Sequence, residues 1–581
     1  MDSGSSQQNA TSVYLGKPWL KIYPPELTPA IELPNKSVTQ AFDEAAEKWK
    51  DRTALNFYGN KIKYKELKEL VDRFATALHD LGVKKNDIVA LHMLNCPQFI
   101  IAFLAAAKAG ATITSISPVY VTPEIKHQLE DSGAQTLVGQ DILFDVVEKT
   151  NVTLKNIILT SIDEYLPGFK KAMGKGILRS VYQKMSIPSA QVYDKPGIHR
   201  LQDLLKKYPP KPPQVEFDLK EDVFLLPYTG GTTALPKAAM LTHHNLISEE
   251  FLVNSFQSTR FGPGKRVHQD GKEVFAAYAP FYHIMGLNGI TQALFRGQTM
   301  VIFTTPDLDD IFGSIVSDGI TQFGGAPTIF DMLKDYEKTN RIDWKRMTML
   351  RSGADALHEE TATIWEKRTG TQIDEVYGLS ETSPIMCMSP IGRRKMGSFG
   401  IPIQNTSVAI IDLETKDFVP LGEVGEIIVS SPVVFKGYWK RPEETKNCFI
   451  EINGEQWFRT GDLGRMNEEG YFYFYDRGRD RIKYKGYSVF AREVEEVLKA
   501  HPQIKDAGVI GVPDPKVGEN VKAVIVLERE ARGRLSEEDI LKYCQERMAH
   551  YKCPRIIEFR GEVPKTDVGK VSRRELREEL A

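Results

Sequence analysis

Residues 87–116 read DIVALHMLNCPQFIIAFLAAAKAGATITSI, and this stretch decides the architecture. An apolar run (DIVALHM) leads to Pro97, then to a second apolar run from Phe99, and Gly110 precedes a further β-rich run (ATITSI). Pro97 suits the first turn of a helix and Gly110 its end. A strand, a helix and a strand of these lengths form a βαβ unit with parallel strands. The middle run meets Lys108 well short of the ~20 residues that span a bilayer, so no membrane-spanning segment is expected from it.

The same rhythm extends in both directions. Upstream, Ser37 opens a helix whose Val38, Ala41, Phe42, Ala45, Ala46 and Trp49 share one face, and Gln40 completes a capping box with Ser37. A hairpin follows, ALNFY then KIKY, turned at Gly59-Asn60, and then a helix through Phe74 and Leu81. Downstream come the helix PEIKHQLEDSG and the strands TLVG and NIILT. Alternation of this kind predicts an α/β fold with largely parallel sheets.

The 581 residues correspond to about four domains or subdomains at ~150 residues each. Hydrophobic residues at 41% and charged residues at 26% exclude a disordered or collagen-like chain. The net charge of −2 gives no reason to expect nucleic acid as a partner. Cys96, Cys387, Cys448, Cys544 and Cys553 are scattered, without metal-ligand spacing, which suits a reducing compartment. The polar N-terminus lacks a signal-peptide core, so a cytoplasmic location is expected.

Two stretches interrupt the α/β rhythm. Within 164–213, FKKAMGKGILRSVYQKM carries Lys170, Lys171, Lys175, Arg179 and Lys184 without an acid. A basic amphipathic segment makes weak peripheral contact with a membrane; the competing reading, a solvated surface insertion, is favoured by Gly174 and Gly176. Near Asp476 the strand-like LGEVGEIIVSS and GYFYFYD give way to charged DRGRDRIKYKGY, followed by a compact α+β pattern of about 100 residues. The expected architecture is therefore an N-terminal extension (1–34), a large region of α/β subdomains plus a β subdomain (35–476), and a small mobile α+β domain (477–581).

The segment LLPYTGGTTALPKAAMLTHHN at 225–245 places Thr229, Gly230, Gly231, Thr232 and Thr233 after a strand and before Lys237. Glycines admit an anion to backbone N–H groups, hydroxyls add donors, and lysine adds charge. Pro236 and Ala238 flank the lysine, so this is no Walker loop. Alone, the segment reads as a phosphate cradle or as a structural turn. Four further motifs follow in order: VYGLSETSP (376–384), WFRTGD (457–462), Arg477 fifteen positions later, and PKTDVGKVSR (564–573).

Together these motifs resemble the adenylate-forming superfamily of acyl-CoA synthetases, aryl-CoA ligases, luciferases and peptide-synthetase adenylation domains. The similarity covers about residues 35–580 and looks most like fatty-acyl-CoA and coumarate-CoA ligases. It implies ATP, Mg²⁺ and CoA as reactants and two half-reactions, acyl-adenylate formation and thiolysis. By the motif match, Thr229–Thr233 and Lys237 hold the β- and γ-phosphates, Ser380 contacts the α-phosphate region, and Glu381 carries Mg²⁺. Gly353, Ala354 and Asp355 resemble the adenine turn, Tyr377 and Gly378 its stacking partner, and Asp462 and Arg477 the ribose site. Lys570 resembles the adenylation lysine, Arg479 the hinge, and Lys483, Lys485, Gly486 and Tyr487 the CoA-side loop. His283 in FYHIMGL and Gly325 in FGGAPTIF would line the acid pocket, with a structural histidine as the alternative for His283.

The chain departs from the common pattern at Gly230, Ala234, Ala238 and Ser488, while Ser380 keeps the hydroxyl of a frequent threonine. The resemblance implies an AMP-forming acyl-CoA ligase for a medium- or long-chain fatty acid. The alternatives are a short hydroxy-acid or aryl-acid ligase and an inactive ATP-binding regulatory protein.

Overall fold

The computed structural model describes residues 13–167, 190–195, 197–229, 236–262, 267–305, 307–477, 480–485, 487–566 and 570–580. The expected βαβ unit is present: strands Ile88–His92 and Thr112–Ser115 pair in parallel, joined by the helix Pro97–Lys108. Every residue of that helix is buried, which explains why its sequence is apolar on all sides. Lys108 is no exception in its chemistry, because its ammonium pairs with Asp43 and Asp72 and so enters the interior as part of a salt-bridge network.

The two strands lie within a seven-stranded sheet. A second, nine-stranded sheet carries Gly325, Tyr377 and Gly378 on its strands. Its parallel core runs from Asp374–Gly378 through Met349–Ser352, Gln322–Gly325, Val274–Ala277 and Thr299–Ile302 to Thr53–Phe57. Antiparallel strands close both edges; one of them is the expected hairpin partner Asn60–Lys63. One large core joins the two sheets, including Phe42, Phe74, Phe99, Phe103 and Leu287. The Ser37 capping box forms as expected, with Ser37 Oγ accepting from the Gln40 N–H.

A separate antiparallel sheet contains Ser407–Ile411, Gly425–Ser430 and Glu455–Met466, with Phe472–Arg477 paired to the last. Beyond it, residues 481–560 build another five-stranded sheet over their own core, centred on Val489, Leu498, Val509 and Ile525. Its long hairpin Ile504–Asp514 and Gly518–Leu527 receives Ile556–Arg560 in parallel. A separately cored unit of this kind can move as a body. The basic run expected within 164–213 falls mainly on 168–189, outside the described residues. The flanking residues form a short strand, Ile198–Arg200, and the helix Leu201–Lys207.

Candidate active site

Parallel strands present their C-terminal ends on one side of a sheet, where ligands of open α/β folds bind. A cleft of about 2040 Å³ opens there and continues between the large sheets and the small domain. Thr229, Lys237, His283, Gly325, Gly353, Ala354, Asp355, Tyr377, Gly378, Ser380, Glu381, Asp462, Arg477 and Lys570 all line it. Sequence positions spread over more than half the chain therefore converge on one cavity.

Thr229 and Lys237 face each other across a two-stranded antiparallel ladder. Gly230, Gly231, Thr232 and Thr233 lie outside the described residues, as do Arg479 and Gly486. Lys237 Nζ donates to Glu444 Oε2 at 2.6 Å and sits 3.7 Å above the Tyr438 ring. Tyr438 in turn donates its hydroxyl to Glu381 Oε1 at 2.9 Å. Glu381 stands in the short 3₁₀ turn Ser380–Thr382 just past the strand Asp374–Gly378. Burial raises its carboxyl above the usual carboxylate range; the Tyr438 hydrogen bond and the charges of Lys237 and Arg477 work against that rise. Gly378 has no substitute here, since an added Cβ would collide with the Pro384 carbonyl.

The adenine-turn candidates follow the strand Met349–Ser352. Gly353 N–H donates to the Gly325 carbonyl at 3.0 Å, and Ala354 adopts φ +71°, a left-handed conformation that few side chains accept. Asp355 opens onto the cleft. Crowding by protein would raise its carboxyl, but Lys570 and Arg492, with the Ala356 N–H and Arg477, outweigh that and hold it below the usual range. Tyr377 donates its hydroxyl to Asp462 Oδ2 at 2.9 Å and stacks one ring face on Phe399, centroids 4.3 Å apart. Asp462 and Arg477 are direct cross-strand neighbours, with Arg477 Nε 3.7 Å from Asp462 Oδ1. Burial lowers the Arg477 guanidinium pKa, yet the carboxylates of Asp462, Asp355 and Asp480 reverse that effect and raise it.

Lys570 reaches the cleft from the small domain, and its backbone is pinned by Thr566, whose Oγ1 accepts from the Lys570 N–H. Arg573 pairs within the small domain with Asp480 at 3.0 Å and Glu495 at 2.7 Å, and it reaches across the junction to Asp476 at 3.8 Å. Lys483 and Lys485 do not line the cleft. They belong to the hairpin Arg481–Tyr484 and Tyr487–Phe490, where the Lys483 N–H donates to Glu519 Oε2 and Lys485 turns at φ +49°. Lys570 therefore lines the cleft while Lys483 does not.

The acid-pocket candidates His283 and Gly325 line the same cleft near the helix Ile284–Phe295. His283 caps it, its Nδ1 accepting from the Met285 N–H at 3.2 Å. Gly325 packs against the Tyr278 hydroxyl, which an added Cβ would strike. Gly325→Ala is expected to cost about 1–3 kcal/mol of stability and to reduce turnover of bulky acids. Thermal melting together with acid-dependent kinetics checks both effects.

Four contributors were not legible in the sequence motifs: Phe399, Tyr438, Glu444 and Arg492. Each is distant in sequence from the candidate it touches or, for Arg492, from the candidate whose carboxylate its charge stabilises, so only the folded chain reveals it.

Known proteins share both halves of this arrangement. The family described as AMP-binding enzyme matches residues 42–439, and the AMP-binding enzyme C-terminal domain matches residues 493–570. The long-chain-fatty-acid–CoA ligase of Bacillus subtilis is 35% identical, covering 97% of this chain and 98% of that one. The 4-coumarate–CoA ligase-like 9 protein of Oryza sativa is 31% identical over 92% of this chain and 91% of its own length. ATP-bound MatB from Rhodopseudomonas palustris superposes with a TM-score of 0.79 at 26% identity, over 94% of this chain and 99% of that chain. With five motifs in one cleft and both family segments matched in order, the chain belongs to the AMP-binding enzyme family of adenylate-forming enzymes, as an acid–thiol ligase.

Proposed function

We propose that this chain joins a medium- or long-chain fatty acid to CoA through an acyl-adenylate. A carboxylate oxygen attacks the ATP α-phosphorus, the bond to the β-phosphate oxygen breaks, and pyrophosphate leaves. The CoA thiol then attacks the acyl carbon, AMP departs, and the thiol proton is released. The observation that supports this most is the convergence of Lys237, Glu381, Asp462, Arg477 and Lys570 on a single cleft.

In this reading Lys237 and the 229–233 loop bind the β- and γ-phosphates. Lys237 must then leave Glu444, exchanging one carboxylate for phosphate oxygens. Ser380 orients the α-phosphate. Gly353 to Asp355 border the adenine, which stacks on the Tyr377 face opposite Phe399, and Gly378 lets the backbone approach it. Asp462 accepts the ribose hydroxyls, and Arg477 stabilises the developing phosphate charge. Lys570 bridges the carboxylate and the α-phosphate, a cation supplied by a domain that later withdraws. The acid lies beside His283 and Gly325.

Glu381 fits Mg²⁺: its buried carboxylate lines the cleft, its proton affinity is raised, and a hard cation with phosphate oxygens and waters would satisfy it. When bound, the metal would neutralise charge on the departing pyrophosphate. Glu381→Gln is expected to raise the Mg²⁺ concentration needed for half-maximal rate by roughly tenfold or more, as a charged ligand is lost. A magnesium titration of the rate measures it; an unchanged requirement would place the metal elsewhere.

The small domain, residues 477–581, turns about Arg479 relative to 35–476 after adenylation. That motion withdraws Lys570 and brings Lys483, Lys485, Gly486 and Tyr487 to the thiol entry. We place the enzyme in the cytoplasm, in keeping with five unpaired cysteines. Among the described residues no helix is long and apolar enough to cross a membrane, and the basic segment within 164–213 would supply weak peripheral contact only.

The deciding assay measures AMP, pyrophosphate and thioester with Mg-ATP across aliphatic, hydroxy and aromatic acids, with and without CoA. CoA-dependent AMP with fatty acids is expected. Turnover with aryl acids alone would move the chain to an aryl-acid ligase. ATP binding without turnover on any acid would favour an inactive regulatory protein.

A further inference from the structure

The acid pocket has a polar floor. Past Gly324 and Gly325 the same cavity is lined by Gln257, Asn288, Gln292, Gln298 and Arg351, alongside Phe275. These side chains come from the helices His243–Gln257 and Ile284–Phe295, the strand Met349–Ser352, and the start of a neighbouring strand. Arg351 Nη2 donates to Gln257 Oε1 at 3.0 Å. Behind them, Glu249 Oε2 accepts from Asn288 Nδ2 at 2.8 Å and from Gln292 Nε2 at 3.2 Å.

The arrangement is incomplete. Arg351 Nε, Gln292 Oε1, Gln298 Oε1 and Glu249 Oε1 are all buried and lack a hydrogen-bond partner among the described residues. Gln298 and Glu249 are 2% and 1% exposed, so bulk water does not serve them. Leaving such a group buried and unpaired is destabilising. A wholly aliphatic tail would seal all of them away from water and satisfy none. Burial pushes the Glu249 carboxyl up to about 8, and Asp374 faces Arg351 from the adjacent strand; burial of the guanidinium nevertheless outweighs both neighbours and lowers the Arg351 pKa to about 10.

Resting on the reading of this cleft as an acid-activating site, we propose that its preferred substrate is an oxygenated fatty acid, whose hydroxyl or keto oxygen is received by Arg351 and Gln292 at the pocket floor. A hydroxyl suits the site best, because it accepts from the guanidinium and donates to an amide oxygen. Rotation of either glutamine amide exchanges an acceptor for a donor, and a hydroxyl meets both. The discrimination resembles any site built to bind a hydroxyl: the analogue lacking it leaves buried groups unpaired.

The test is acid-dependent ATP–pyrophosphate exchange, which requires no thiol. Octanoic and hexadecanoic acids are compared with their hydroxy, keto and terminal-carboxylate analogues. The wild-type protein is expected to favour a hydroxy or keto acid by at least roughly tenfold in kcat/KM over the plain acid of equal length. Arg351→Met and Gln292→Leu should each remove most of that ratio by raising the KM of the oxygenated acid, with the KM for ATP unchanged. Gln292→Leu keeps the test readable if Arg351→Met fails to fold, which thermal melting reports. A wild-type preference for plain acids at both lengths, or a ratio that neither variant moves, overturns the proposal; so does preference for the terminal carboxylate alone. Exchange that is selective for oxygenated acids without CoA-dependent thioester would overturn the CoA assignment and leave this proposal standing. Exchange with no acid would overturn both.

Discussion

Lys570→Ala is expected to lower acyl-adenylate formation by roughly 10²–10³-fold while leaving thioester formation from supplied acyl-adenylate nearly unchanged. Lys570 sits on the small domain, its backbone braced by Thr566, and its charge reaches Asp355 across the cleft. Adenylation builds negative charge on the α-phosphate as two anions approach, and a fixed cation at that point acts chiefly on the transition state. Thiolysis starts from a neutral acyl carbon and, in the proposed function, uses the hairpin that carries Lys483 and Lys485 in place of Lys570. The measurement pairs ATP–pyrophosphate exchange with single-turnover thiolysis. Equal losses in both steps would contradict the exchange of domain faces.

Asp462→Ala is expected to raise the KM for ATP by roughly tenfold to a hundredfold, the value of one or more charge-assisted hydrogen bonds. The carboxylate also holds the Tyr377 hydroxyl and stands beside Arg477, so its loss leaves a buried phenol unpaired and frees a guanidinium. Asp462→Asn should be milder, because its amide oxygen can still accept from Tyr377. Direct nucleotide binding checks both variants, and unchanged affinity would show that the ribose lies elsewhere.

Local signals carried the fold reading furthest. The helix Pro97–Lys108 announces itself by composition, and Ser37 with Gln40 marks a helix start three residues wide. The α+β pattern after Asp476 likewise emerges as a sheet over its own core. Motif residues were legible for the same reason: each group occupies a few adjacent positions, as in 376–384. Their mutual geometry was not. Asp462 and Arg477, fifteen positions apart, are hairpin partners only once the strands Glu455–Met466 and Phe472–Arg477 register. Tyr438, which joins Lys237 to Glu381, lies about 200 positions from the first and 57 from the second, a link no periodicity encodes. The polar pocket floor was equally hidden. Glu249, Gln292 and Arg351 lie in segments that read as ordinary helix and strand, and their chemistry arises only where three elements meet.

The most direct test of the account follows oxygen from the acid. A fatty acid labelled with oxygen-18 in its carboxylate is turned over with Mg-ATP and CoA, and the nucleotide and phosphate products are analysed by mass spectrometry. Attack of the carboxylate on the α-phosphorus predicts one labelled oxygen in AMP, none in pyrophosphate, and one retained in the thioester. Label in inorganic phosphate, or unlabelled AMP beside labelled thioester, would contradict an acyl-adenylate in this cleft.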